Sequence, residues 1–70
     1  MKKIALLKLP NGDYDLNIGP IVVGKIWREG NGNRYQIFKT EITESYASSP
    51  FADLRDAIAA ATERIRSQLG

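Results

Sequence analysis

The sequence of 70 residues predicts a single α+β domain, in which a four-stranded antiparallel sheet is covered on one face by one C-terminal helix. Two Asn-Gly pairs, Asn11-Gly12 and Asn31-Gly32, each separate two strand-like runs, which is the strongest short-range signal for a hairpin. The C-terminal segment instead repeats apolar residues at three- and four-residue spacing, as one face of a helix does. A chain this short holds one domain, so residues 1–70 are assigned to it.

The first predicted hairpin joins a run from Lys3 to Leu9 to a run from Tyr14 to Ile18. A two-residue turn on Asn11-Gly12 suits both runs, because these residues tolerate the positive φ angles of a type I′ turn. This turn places Leu7 opposite Leu16. It predicts a shared apolar face made of Ala5, Leu7, Leu9, Tyr14, Leu16 and Ile18.

The second predicted hairpin follows Gly19-Pro20 and runs from Ile21 to Arg28 and from Arg34 to Glu44. A two-residue turn on Asn31-Gly32 predicts a helix-covered face with Ile21, Val23, Trp27, Phe38 and Ile42. The uncovered face then carries Val22, Ile26, Arg28, Tyr35, Ile37 and Lys39. A five-residue loop or a one-residue slip are the alternatives, and the slip would move Trp27 and Lys25 to the open face. The order of strands across Gly19-Pro20 stays open.

The helix is predicted from Pro50 to Leu69, after a polar loop from Ser45 to Ser49. Ser49 suits the N-cap, and Pro50 suits the first helical position. The apolar stripe of this helix is formed by Phe51, Leu54, Ile58, Ala61, Ile65 and Leu69.

The composition argues against catalysis and against a cofactor. There is no histidine and no cysteine, so the commonest general base, the thiol nucleophile and the usual zinc and haem ligands are missing. The remaining carboxylate pairs suit a solvated strand end and a helix N-terminus better than an active site. We therefore expect a non-enzymatic protein with no cofactor and no metal. The absence of a long apolar run and of a signal-peptide pattern predicts a cytoplasmic protein without a membrane segment.

The predicted uncovered face indicates a binding or accessory module, because monomers seldom expose so many contiguous apolar side chains. The first hypothesis is interaction with a protein partner, or homodimerisation, through Val22, Ile26, Arg28, Tyr35, Ile37 and Lys39.

The alternative hypothesis is nucleic-acid binding by the basic second hairpin, with cations at phosphates and an aromatic ring against a base. Its candidate contacts are Lys25, Trp27, Arg28, Arg34, Tyr35 and Lys39. The pattern of a hairpin followed by an Ala-rich helix, from Ile21 to Leu69, resembles the arm-binding domains of phage-type integrases, with no motif matched residue by residue. That resemblance implies DNA as the partner. The net charge of +2 is low for such a role but decides little, whereas the apolar content of the uncovered face favours the protein partner.

Overall fold

The computed structural model describes residues 3–70 and shows an antiparallel sheet followed by one C-terminal helix, which confirms the α+β class. The sheet has five strands rather than the predicted four. Its strands follow one another in chain order across the sheet. The elements are β1 (Ile4–Lys8), β2 (Tyr14–Ile18), β3 (Ile21–Glu29), β4 (Gly32–Ile37), β5 (Tyr46–Ala47) and α1 (Leu54–Leu69).

The fifth strand lies in the segment that was predicted as a polar loop. β5 pairs with β4, and Ser48 continues the contact. The Tyr35 backbone N–H donates to Ser48 Oγ at 2.9 Å, and the Ser48 N–H donates to the Tyr35 carbonyl at 3.0 Å. Further along, Asn33 and Phe51 exchange two backbone hydrogen bonds of 2.8 Å. The loop prediction is therefore wrong, because the small polar residues supply hydrogen bonds to the edge of β4.

Because of the same pairing, the helix begins four residues later than predicted. Phe51 is held on β4, so α1 begins at Leu54, with Asp53 rather than Ser49 at the N-cap. The predicted apolar stripe is largely the buried face of α1. Its members Ala61 and Ile65 are fully buried, with Leu54 and Ile58 packed beside them, whereas Leu69 is 38% exposed. Ala57, which was not assigned to the stripe, is also fully buried.

The first hairpin has a three-residue loop where two residues were predicted. The Leu9 N–H donates to the Asp13 carbonyl at 2.8 Å, and the Gly12 N–H donates to the Leu9 carbonyl at 3.0 Å. Pro10 suits the first central position of a type I turn, and Gly12, with φ of 94°, takes the left-handed position that follows it. Pro10 therefore joins Asn11 and Gly12 in the loop, which shifts the register by one residue.

The shifted register reverses the predicted faces of β1. Leu6 lies opposite Leu16, and Ile4 lies opposite Ile18. Leu16 and Ile18 are buried in the core as predicted. Ala5 and Leu7 lie on the other face, which corrects the predicted apolar set.

The turn of the second hairpin lies on Gly30-Asn31, because Glu29 pairs with Gly32. Gly30, the first central residue of the turn, has φ of 61°, whereas Asn31, the second, does not have positive φ. Positive φ at the first central residue alone is typical of a type II′ turn. The register moves by two residues from the prediction, so the predicted alternation survives. Ile26 now lies opposite Tyr35.

A β-bulge in β3 decides which face the helix covers. Leu16 pairs with Gly24 while Asn17 pairs with Val22, so Val23 has no opposite residue on β2. The extra residue allows Ile21, Val23 and Ile26 all to pack in the core, although strict alternation would separate them. The buried core comprises Leu16, Ile18, Val23, Ile26, Tyr35, Ile37, Ala57, Ala61 and Ile65. The helix side of the sheet thus combines Ile26, Tyr35 and Ile37, which were predicted to be open, with Ile21 and Val23, which were predicted to be covered.

Candidate interaction site at the edge of the sheet

The predicted interaction face does not exist as one surface. Ile26, Tyr35 and Ile37 have relative exposures of 0%, 3% and 0%, because they pack against the helix. Val22 is exposed, but it lies on the opposite face from them. The expectation that these four residues share an open face is therefore wrong.

The two basic residues of the predicted face are also separated from each other. Arg28 is exposed near the end of β3, opposite Asn33. Lys39 follows the end of β4, and its Nζ lies 3.2 Å from a Glu44 carboxylate oxygen. An exposed pair of this kind adds little stability and marks no shared surface with Arg28.

The sheet face away from the helix is polar and is centred on one indole ring. We call it the Trp27 face and define it by Asp13, Asp15, Lys25, Trp27, Glu29, Arg34 and Gln36. The Lys25 ammonium lies 5.7 Å from the centroid of the Trp27 ring, within range of a cation–π interaction. Trp27 Nε1 donates to Glu29 Oε1 at 3.3 Å.

The two cations of the Trp27 face already have partners. Arg34 Nη1 lies 2.9 Å from Glu29 Oε2, and its Nε and Nη2 donate to the Ser48 carbonyl at 3.2 and 3.1 Å. Lys25 Nζ lies 3.7 Å from Asp13 Oδ2. The hydrogen bond from Arg34, then that from Trp27 and the charge of Arg34, lower the pKa of the Glu29 carboxyl below its usual value. With three carboxylates and two cations, this face is slightly acidic rather than basic.

The candidate nucleic-acid contacts are only partly brought together. Lys25, Trp27 and Arg34 are neighbours on the Trp27 face. Tyr35 is buried, and its ring packs near Phe51 with centroids 6.1 Å apart. Arg28 and Lys39 lie outside this face. The structure therefore brings three of the six predicted contacts together and places the other three elsewhere.

The most exposed apolar side chains of the sheet lie on β1. Leu6 is 43% exposed on the helix side of the sheet, and Leu7 is 52% exposed on the other side. Most of β1 is exposed, with Ile4 partly buried against the core. A strand of this kind contributes little to the core.

The backbone of β1 has one edge that faces solvent. Leu9 donates toward β2, and hydrogen-bonding direction alternates along an antiparallel strand, so Leu7 and Ala5 also bond to β2. The N–H and C=O groups of Ile4, Leu6 and Lys8 therefore point away from the sheet. Within residues 3–70, no strand pairs with this side of β1. We call this row of groups the β1 edge.

The opposite edge of the sheet is protected. β5 has two residues, and Pro50 follows it closely. The Arg64 guanidinium from the helix stacks 3.6 Å from the centroid of the Tyr46 ring, and its Nε lies 3.4 Å from the Tyr35 hydroxyl. Short edges, proline and covering side chains are devices that prevent strand addition. The β1 edge is the longer and more open of the two.

Sequence reasoning missed the β1 edge, although a signal was present. A half-buried strand alternates apolar and polar residues, whereas Ile4 to Leu7 is a continuous apolar run between Lys3 and Lys8. The run was instead divided by alternation, with Ala5 and Leu7 assigned to the covered face and Ile4 and Leu6 to the open face.

The comparisons add no assignment: neither a protein-family model, nor a curated protein, nor a solved structure shows a significant match to this chain. In the described part of the chain, no helix combines the length and apolar character needed to cross a membrane. Residues 3–70 also hold no group of three or more acidic, histidine or cysteine side chains suited to a metal ion.

Proposed function

We propose that this chain is a non-catalytic protein-interaction module, and that its partner adds a strand to the β1 edge. The observation that carries the proposal is the free row of backbone groups at Ile4, Leu6 and Lys8 beside two exposed leucines. An edge of this type accepts an extended segment, with main-chain hydrogen bonds that supply affinity and alternate side chains that supply specificity.

The side chains of β1 indicate which segments it accepts. Leu6 and Leu7 lie on opposite faces, so an added strand with apolar residues on both sides would remove both leucines from water. Such burial contributes about 25 cal/mol per Å². Lys3 and Lys8 are exposed at the two ends of the run. Acidic ends should therefore strengthen the binding of a test peptide, because opposite charges at the rim of an interface speed association and set register.

A synthetic peptide with consecutive valines between glutamates at its two ends tests strand addition directly. Binding is measured by calorimetry for the native chain and for two variants, Leu6→Ala and Leu6→Pro. Both variants lose the leucine side chain, but only proline removes the outward N–H. Since that N–H is not used within the sheet, an edge proline is compatible with the fold. We expect Leu6→Ala to retain most of the binding and Leu6→Pro to lose it.

Circular dichroism confirms that both variants fold before they are compared. Equal binding by the two variants would overturn the proposal, since main-chain pairing at Leu6 would then play no part. The largest changes in the NMR chemical shifts of backbone amides on peptide binding should also lie on β1. Changes centred on Tyr46–Ala47 would assign the binding to the protected edge instead.

Nucleic-acid binding is a second candidate, favoured by the position of Trp27 between Lys25 and Arg34 on one face. Its weakness is the acidic partner of each cation. Binding to DNA and RNA is measured at low salt, where electrostatic attraction is strongest. If this candidate holds, Lys25→Gln lowers the salt dependence by about one counterion while Lys39→Gln, outside the Trp27 face, has less effect. No binding at low salt removes it.

A further inference from the structure

We infer that the strand added at the β1 edge is β1 of a second copy of this chain, paired antiparallel about a two-fold axis at Leu6. This inference rests on the proposed function and names the partner. The outward groups of β1 lie at Ile4, Leu6 and Lys8, which are placed symmetrically about Leu6.

That symmetry lets two copies satisfy each other's hydrogen bonds. With Leu6 at the axis, the N–H and C=O groups of Leu6 bond to Leu6 of the second copy. Ile4 then meets Lys8 of the second copy, and Lys8 meets its Ile4, so every outward group of the strand is paired. Moving the axis to Ala5 or to Leu7 leaves outward groups unpaired at one end of each β1. The centre at Leu6 is therefore the register that uses the whole strand.

The side chains fit the same register. On the helix side, the two Leu6 side chains meet, and both continue from the buried Leu16 of their own copy. On the other side, the small Ala5 lies opposite the large Leu7 of the second copy. The Lys8 side chains are four positions apart along the strands, about 13 Å at the usual rise per residue. This separation exceeds the screening length of about 8 Å at physiological salt, so their repulsion is weak. Lys8 also lies one residue from the position opposite Lys3 of the second copy, on the other face of the sheet, and this like-charge contact weakens the dimer.

The rest of the fold leaves room for this pairing. The helix makes its main contacts with β4, three strands away from the β1 edge. A two-fold axis perpendicular to the sheet places both helices on the same side, with the two β4 strands roughly 30 Å apart. Pairing of one short strand per copy buries less than the roughly 1,200 Å² of a stable interface. The dimer is therefore expected to be weak and to depend on concentration.

The absence of cysteine makes the register measurable. Single cysteines are introduced as Leu6→Cys, Ala5→Cys and Leu7→Cys, and disulfide formation is followed in a glutathione buffer at equal protein concentration. At Leu6 the two α-carbons are about 5.5 Å apart, within the range that a disulfide spans. The two copies of Ala5, or of Leu7, are offset by two residues along the strands, so their α-carbons lie roughly 8 Å apart. We expect Leu6→Cys to form the dimer about tenfold faster than the other two.

Sedimentation equilibrium supplies a second readout that does not depend on cysteine. The native chain should show a mass that rises with concentration, while Leu6→Pro stays monomeric. Equal crosslinking rates for the three variants, or a native chain that remains monomeric, would overturn the self-pairing. If the alanine and proline variants at Leu6 still differ in peptide binding, strand addition stands with a different partner. If they do not differ, the proposed function falls as well.

Discussion

A Cβ atom placed on Gly24 would lie 2.6 Å from the carbonyl oxygen of Gln36, closer than real Cβ atoms approach a backbone oxygen. β3 and β4 therefore come together at a position that only glycine accepts. Gly24 is next to Val23, the residue that has no opposite partner on β2. The bulge and this close approach together place Ile26 under the helix and leave Trp27 on the other face.

Replacing Gly24 with alanine should destabilise the domain by about 1–3 kcal/mol, because the added methyl group forces the two backbones apart. The free energy of unfolding is measured in urea. Gly19→Asn is the control, since nothing lies within 4 Å of a Cβ there and asparagine tolerates its positive φ of 58°. A Gly24→Ala variant as stable as the native chain would show that the close approach of β3 and β4 does not require glycine at this position.

Ile26 and Val22 should respond very differently to truncation. Ile26 is fully buried and Val22 is 42% exposed. Ile26→Ala should cost about 2–5 kcal/mol, through lost burial and the cavity that remains. Val22→Ala should change stability by less than about 1 kcal/mol. The two denaturant midpoints are compared.

Charge at Ile26 makes a sharper version of the same test. Ile26→Glu should unfold the domain, because an unpaired carboxylate would be buried beneath the helix. The predicted open face implied the opposite, a charged variant with an intact core. A folded Ile26→Glu variant, detected by its circular dichroism, would contradict the helix placement.

The carboxyl group of Glu29 should titrate below its usual pKa of 4.5, because Arg34 and Trp27 donate hydrogen bonds to its charged form. A lowered pKa in the folded state means that this contact stabilises the fold above the usual pKa, and that the stabilisation is lost as the pH falls through the lowered pKa. Arg34→Gln should raise the pKa of Glu29 toward its usual value. The side-chain carboxyl carbon is followed by NMR.

Lys39→Gln serves as the control for that titration, since Lys39 pairs with Glu44 and not with Glu29. A pKa of Glu29 that stays lowered in Arg34→Gln would assign the shift to another group.

The class of fold was predictable because its signals are local. Each Asn-Gly pair lies in or beside a real hairpin turn, and the helical spacing identified Ala61 and Ile65, two of the three residues that α1 buries fully. The faces of the sheet were not predictable from alternation alone. Pro10 adds one residue to the first loop, and the bulge at Val23 adds one to β3, so each change reverses the side of the sheet on which the residues beyond it lie. Pro10 and Gly24 were the available signals for these changes.

The candidate site was not predictable for a related reason. Residues were assigned to an open face before the strand order was known, and that face proved to be the core at Ile26, Tyr35 and Ile37. The exposure of β1 follows from its place at the end of a sheet whose strands run in chain order. That order depends on packing between segments that are distant in the sequence, and no local sequence pattern indicates it.

Amide hydrogen exchange along β1 tests most directly whether its outer edge is a binding edge. At low protein concentration the amides of Ile4, Leu6 and Lys8 should exchange quickly, while those of Ala5 and Leu7 are protected by β2. At high concentration, or with the synthetic peptide bound, we predict that exchange at the three outer amides slows and that the inner amides keep their protection. Outer amides that exchange at one unchanged rate under all these conditions would contradict strand addition at β1.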